Sequence, residues 1–273
     1  MERVGRFAGT WRWLTTQWPM VTAVYAILLL LLLFIGVSAE MGWWGLIPLC
    51  LGLFFLLAYW LGAQIWVAHR LYDPTGWQPH HLLFDMGQLR DTDSFAFIDL
   101  DGRHLAMSLG RRLTTGRVVV IDVYNPQLTP GAALVRGRAH TLHPPTDPRF
   151  MWRNGRFDLL PLPNNSVRAV FLLEVLSAFW QAGDREALLR EIHRVLIPGG
   201  HLLMSERTRS RTNWLIFGPA AINLVPWPEW RTLLQRVGFS LNREKDLGGV
   251  LHCIRADKPI PQEGRQLRLE LNL

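Results

Sequence analysis

Two long stretches near the start of the chain carry no charge. Met20 to Ala39, MVTAVYAILLLLLLFIGVSA, is uncharged over 20 residues, and Trp43 to Ala68 over 26, with Gln64 its most polar member. Each is long enough to cross a hydrocarbon core of about 30 Å as a helix. Core helices of soluble domains rarely stay uncharged for so long, so the pattern predicts two membrane spans, at about 20–39 and 43–68. Further along, the pattern changes to short β-branched or aromatic runs: FAFIDL (95–100), RVVVID (117–122), VRAVFLL (167–173), HLLMSE (201–206) and GVLHCIRA (249–256). Helix-like runs fall between them, at 103–113, 184–196 and 228–238. In the second of these Asp184 is placed to cap the start, and Pro198, Gly199 and Gly200 end it. Strands alternating with helices predict an α/β fold, a Rossmann-like doubly wound and mostly parallel sheet, after a transmembrane helical hairpin.

The flanks of the hairpin set its expected orientation. Trp18 and Tyr25 near one end and Trp43 and Trp44 near the other suit an interfacial aromatic belt. Val37, Ser38 and Ala39 resemble a signal-peptide cleavage site, but the apolar run exceeds the usual signal core of about 7–15 residues. Arg3, Arg6 and Arg12 precede the first span and Arg70 follows the second, while the connection AEMGWWG has no basic residue. The positive-inside rule therefore puts both termini in the cytoplasm. The resulting division is an anchor at 1–68, a linker at 69–81 marked by two prolines and a glycine, an α/β domain at 82–258, and a tail at 259–273.

Composition changes the picture little. The net charge of +7 comes almost wholly from arginine, with lysine only at Lys245 and Lys258. The arginines are scattered among acids as on an ordinary solvated face, so no nucleic-acid partner is expected. Cys50 falls in a span and Cys253 near the C-terminus, so no disulfide framework is implied, and no histidine stands at metal spacing with a cysteine.

The tract DLLPLPNNSVRAVFLLEVLSAFWQAGDREALLREIHRVLIPGGHLLMSE, 158–206, resembles the class I S-adenosylmethionine-dependent methyltransferases, of the type 11-like group. It has that family's Leu-Pro step, a strand ending near Glu-Val-Leu, a helix ending Glu-Ile-His-Arg-Val-Leu, and Pro-Gly-Gly before the next strand. PEWRTLLQRVGF (228–239) is similar to the helix before the family's late strands. The resemblance covers about Leu82 to Lys258. It implies S-adenosylmethionine as cofactor and methyl transfer as activity.

The same resemblance picks out candidate site residues. The family's first strand ends in an acid and enters a loop of about three glycines, where a side chain would block the cofactor. Asp99 matches the acid and Gly102 the last glycine, but the earlier glycines are missing and only Asp101 stands in their place. Asp99 and Asp101 are thus candidate partners of the cofactor's ammonium group; equally, Asp101 is placed to cap the helix after Gly102. Asp122, 23 residues after Asp99 at the end of the second strand, matches the carboxylate that accepts ribose hydroxyls, with capping of the next turn as its alternative role. Where the family has Gly-Asp for the adenine amino group, the chain has Gly155-Arg156, and arginine cannot accept a hydrogen bond; Asp158 is the nearest acid. Glu174 and Ser177 follow the fourth strand, toward the methyl-transfer region, and suit pocket lining or ordinary packing equally. No catalytic base is identified, because methyl transfer depends chiefly on in-line placement.

SERTRSRTNWLIFGPAAINLVPWPEW, 205–230, mixes Arg207, Arg209 and Arg211 with Trp214, Leu215, Ile216 and Phe217. A basic cluster beside an apolar one suits a surface against anionic lipid, or an inserted helix packed over the domain. The expectation is a membrane-anchored methyltransferase whose partners are the lipid bilayer and a small-molecule or lipid acceptor. The alternative is a methyltransferase-like domain that has lost its cofactor and serves as a membrane-tethered binding module.

Overall fold

The computed structural model describes residues 5–139 and 147–261. Arg3 and most of the expected C-terminal tail lie outside them. The chain divides into a helical unit, Met1–Gln78 with Arg211–Ile222, and an α/β unit, Pro79–Ser210 with Asn223–Leu273.

In the helical unit, α1 (Ala8–Thr16), α2 (Trp18–Glu40) and α3 (Ile47–Tyr72) follow one another closely. Pro19 and Pro48 sit in the first turns of α2 and α3, where a missing N–H costs nothing. The α2–α3 turn uses Gly42 at φ +73°, a left-handed position that glycine takes without strain. Both helices are long and apolar enough to cross a membrane, and little of their most apolar windows is buried, 6% and 11%, unlike a core helix. Helix α3 runs four residues into the expected linker, because His69, Arg70, Leu71 and Tyr72 are all compatible with helix and the break comes at Asp73-Pro74. There Asp73, fully buried, accepts hydrogen bonds from Thr10 N (3.0 Å), the Thr10 hydroxyl and His69 Nδ1 (2.8 Å), tying α1 to the end of α3. Gly9 lies against Tyr72, where a Cβ would fall 2.4 Å from the Tyr72 carbonyl carbon. Asp73→Ala is expected to undock α1 at a cost of about 2–3 kcal/mol, since two buried donors lose a charged acceptor. Faster tryptic cleavage at Arg12 of the detergent-solubilised protein checks this; an unchanged rate would refute it.

The α/β unit holds a seven-stranded sheet in the order β3-β2-β1-β4-β5-β7-β6. Its strands are β1 (Phe95–Asp99), β2 (Val118–Asp122), β3 (Phe150–Asn154), β4 (Val167–Leu173), β5 (Leu196–Glu206), β6 (Ser240–Leu247) and β7 (Leu251–Asp257). The first five are parallel, and β7 runs antiparallel to both β5 and β6. The helices are α4 (Pro79–Met86), α5 (Arg103–Gly110), α6 (Ala132–Ala139), α7 (Ala182–Val195) and α9 (Trp227–Val237); the insert's seven-residue helix, α8 (Arg211–Phe217), belongs to the helical unit.

Alternation along the strands sorts two cores. Ala96, Ile98, Val170, Leu172, Leu202 and Met204 pack in one cluster with α7 and α9 side chains such as Leu188, Ile192 and Trp230. Phe95 and Phe171 meet at a tilt, 4.7 Å between ring centres, on the opposite face, with Phe84 of α4 edge-on to Phe95. Every residue of β1 is therefore buried, as a central parallel strand requires. Asp184 does not cap α7: the N-cap is Gln181, and Asp184 lies in the first turn, where its charge faces the positive helix end. The Pro198-Gly199-Gly200 step lies within β5, the helix having ended at Val195; Gly199 takes φ +77° and the β4–β5 register shifts between Val167 and Ala169.

Candidate functional site

The order of strands reverses at β1, with β2 on one side and β4 on the other, and ligands of such sheets bind beyond the carboxyl ends at that point. Asp99 and Asp122 end β1 and β2 and are directly paired in register. Two carboxylates thus stand side by side at adjacent strand ends.

The βα connection after Asp99 is short, Leu100 to Gly102. Asp99 Oδ1 accepts from Gly102 N at 2.6 Å, which closes the turn into α5. Asp101 meets α6, where a Cβ on Gly137 would fall 2.1 Å from Asp101 Oδ2. Gly102 has φ −93°, so a left-handed backbone is not what it provides. Its size is: an added Cβ would sit 3.3 Å from the Phe97 ring.

Two guanidinium groups lie on these acids. Arg103, from the first turn of α5, reaches Asp99 Oδ2 with Nε (3.3 Å) and Asp122 Oδ2 with an Nη (3.1 Å). Arg138, from the last turn of α6, forms a two-pronged pair with Asp122, at 3.1 Å to Oδ1 and 2.6 Å to Oδ2. It also donates to the Leu100 carbonyl and stacks 4.2 Å from the centre of the Tyr124 ring. Tyr124 N completes the set on Asp122 Oδ1 at 3.0 Å, so the carboxylate does cap its own following turn. Burial, with the Asp122 charge beside it, pushes the Asp99 carboxyl up to about 6, despite the opposing pull of Gly102 N–H and the two arginines.

The other candidates lie on separate partners. Asp158 pairs with Arg156 Nη at 2.6 Å, both largely in solvent, and that hydrogen bond holds the Asp158 carboxyl below its ordinary range. Glu174 follows β4 in a left-handed conformation, φ +52°, which a non-glycine residue adopts only under local constraint. Its carboxylate meets Arg207 Nε at 2.6 Å. Behind it, the wholly buried Glu206 at the end of β5 accepts from Leu176 N (2.7 Å) and Ser177 N (3.3 Å), and burial pushes it up to about 7. Arg138 and Glu206 had no motif to announce them: α6 lacks a sustained apolar period, and Glu206 reads as the end of an apolar strand.

Residues 102–204 match the methyltransferase domain family. Solved structures share the fold at low identity. An S-adenosylmethionine-dependent methyltransferase from Aquifex aeolicus is 18% identical with a TM-score of 0.51, over 66% of this chain and 89% of that one. The [4+2]-cyclase SpnF is 16% identical with a TM-score of 0.51, over 66% and 80%. The pyocyanin biosynthetic protein PhzM is 17% identical with a TM-score of 0.50, over 66% and 54%. A curated relative, the hybrid PKS-NRPS synthetase ucsA from Acremonium sp, is 41% identical over 58 residues, 21% of this chain and only 2% of that protein's length. The matched segment and the strand order together give the α/β unit the fold of the S-adenosylmethionine-dependent methyltransferase domains, with a methyltransferase-domain match over residues 102–204.

Proposed function

We propose that the chain is a membrane-anchored methyltransferase using S-adenosylmethionine on a lipophilic acceptor, with Asp99 and Asp122 as its cofactor-binding carboxylates. The observation that carries this reading is the in-register placement of those two acids at adjacent strand ends, Asp122 within the matched residues 102–204 and Asp99 just before them. In this reading Asp122 accepts from two ribose hydroxyls and Asp99 faces the ammonium group, as the family's chemistry asks. The cofactor, once bound, supplies an electrophilic methyl group on a sulfonium. By position and charge the acids fit it; the obstacle is that both oxygens of Asp122 and both of Asp99 already have donors. Arg103 and Arg138 are side chains with partial access to solvent, 23% and 21%, so swinging them outward opens the acids without moving the strands. Asp101, Gly102, Asp158 and Glu174 remain proposed contacts, of which Gly102 is adjacent to the acid pair and Asp158 needs release from Arg156. The two spanning-length helices support the anchor, and the arginines that flank them support a cytoplasmic domain under the positive-inside rule.

The arginine clamp also favours a second reading, a tethered binding module that no longer admits the cofactor. Isothermal titration of S-adenosylmethionine and S-adenosylhomocysteine into the detergent-solubilised full chain separates the two. Saturable heat that Asp122→Ala abolishes is the expected result. No heat from folded protein at millimolar ligand would overturn the enzyme reading and leave the module.

A further inference from the structure

We infer that one end of the α2–α3 hairpin carries an interfacial collar, made of α1 and the inserted segment 211–222, that lies on an anionic lipid surface; the inference rests on reading α2 and α3 as spans. Helix α3 has 26 residues, about 39 Å at 1.5 Å per residue, longer than the hydrocarbon core. Its polar residues, Gln64, His69 and Arg70, gather at the Tyr72 end, so that end emerges from the apolar layer.

Both collar elements are fastened to it. Thr10 of α1 is bonded to Asp73, and the buried Gln64 side chain donates to the Ile216 carbonyl of α8 at 3.0 Å. The second bond gives the amide of a spanning helix a partner at the edge of the core, where it would otherwise cost free energy. It also fixes the depth of α8 close to the level of Gln64.

What these elements turn outward is apolar. On α8 and the turn after it, Asn213, Ile216 and Ala221 are buried, whereas Trp214, Leu215 and Ile222 are exposed at 43%, 66% and 58%. Trp11 of α1 is exposed at 66%. An ordinary water-facing helix presents polar residues on that side; tryptophan and leucine there suit the headgroup boundary. Arg70 lies over the Trp66 and Trp77 rings, at 5.6 and 5.9 Å, adding a cation at the same level.

Charge selects the lipid. Arg6, Arg70 and Arg211 belong to this part of the helical unit. Among its described residues the acid Asp73 is buried and consumed by Thr10 and His69, and Glu40 lies at the opposite end of α2. The surface left is cationic and apolar together, the combination that anionic headgroups over acyl chains satisfy.

The test uses the full chain carrying Cys50→Ser and Cys253→Ser, reconstituted in phosphatidylcholine vesicles with phosphatidylglycerol. A nitrobenzoxadiazole fluorophore is attached through Leu215→Cys in one variant and Leu33→Cys in another. The Leu215 probe is expected to emit blue-shifted light, to be quenched by lipids with a nitroxide near the headgroup, and to resist aqueous iodide. The Leu33 probe is expected to be quenched by deep nitroxides. In phosphatidylcholine alone, iodide quenching at position 215 is expected to rise about twofold, as the electrostatic attraction is lost. A Leu215 probe open to iodide beside a deeply buried Leu33 probe overturns the collar and leaves the spans. A Leu33 probe in water overturns both. Equal protection of position 215 with and without anionic lipid overturns the assignment to anionic headgroups.

Discussion

Arg103→Ala combined with Arg138→Ala is expected to tighten S-adenosylmethionine binding, by about ten- to a hundredfold over the unaltered chain. Between them the two guanidiniums make five charge-assisted or carbonyl-directed hydrogen bonds around Asp99, Leu100 and Asp122. A ligand that needs those acceptors must first break them. Bonds to charged groups are worth about 1.5–3 kcal/mol each in stability. Part of that is recovered when the freed arginines meet water, so a net relief of about 1.5–3 kcal/mol corresponds to the stated range. Removing the arginines also removes the charges that oppose the rise in the Asp99 pKa, which then moves above about 6. Titrations therefore belong at a pH well above that value, near 8. Weaker or unchanged binding by the folded double variant would show that the arginines do not guard the acids. Asp122→Ala in the same background is expected to cancel the gain, which separates ribose recognition from a general loosening of the site.

How this clamp arises explains what was legible in the sequence. Strands β1, β2 and β4 are β-branched or aromatic runs buried on both faces, and their pattern announces them within a residue or two. The sequence also places Asp99 and Asp122 at the ends of two strands, whereas their pairing in register is a fact of the folded sheet. Strand β6, SLNREKDL, is polar and almost entirely exposed; its place is set by pairing with β7, which no periodicity reveals. The break at Pro198-Gly199-Gly200 was misleading in the other direction, because glycine at positive φ is compatible with a strand that bends past an irregular register. Arg138 was the least legible of all. Its role depends on α6 reaching back to a carboxylate 16 residues earlier, and neither its neighbours nor its spacing distinguishes it from a surface arginine.

The SpnF likeness bears on the same point. A [4+2]-cyclase shares this fold at a TM-score equal to that of the methyltransferase from Aquifex aeolicus, so the sheet alone does not select a reaction. The selection lies in side chains at the strand ends. Here these are unusually self-contained: Asp122 with Arg103 and Arg138, Asp158 with Arg156, and Glu174 with Arg207. Three acids on the expected cofactor side each hold an arginine, and this is where the chain departs from the resemblance. The shortened loop and Arg156 belong to the same pattern. Asp101 meets α6 at Gly137 where a glycine-rich loop would leave space, and α6 in turn delivers Arg138.

Glu206→Gln is expected to remove a pH dependence of stability that the native chain shows between about pH 4.5 and 7. The carboxyl is wholly buried at the end of β5, and burial raises its pKa from 4.5 to about 7, reinforced by the Glu174 charge and opposed by the bonds from Leu176 and Ser177. The folded state therefore holds its proton more tightly than the unfolded state. Stability from this group is fully present below pH 4.5 and is lost as pH rises toward 7, because there the unfolded chain ionises freely while the folded one must bury a charge. A shift of this size corresponds to about 3 kcal/mol at pH 8, using about 1.4 kcal/mol per unit. Glutamine keeps an oxygen for the Leu176 N–H and carries no charge at any pH, so the variant is expected to be the more stable protein at pH 8 and nearly equal at pH 4.5. Denaturant midpoints of the solubilised chain across this range provide the measurement. A native profile that stays flat, or one that rises with pH and is unaltered by Glu206→Gln, would mean that the buried carboxylate is ionised and stabilised by the η1 turn at Leu176–Ala178, so that its function is to hold that turn beside Glu174 rather than to store a proton.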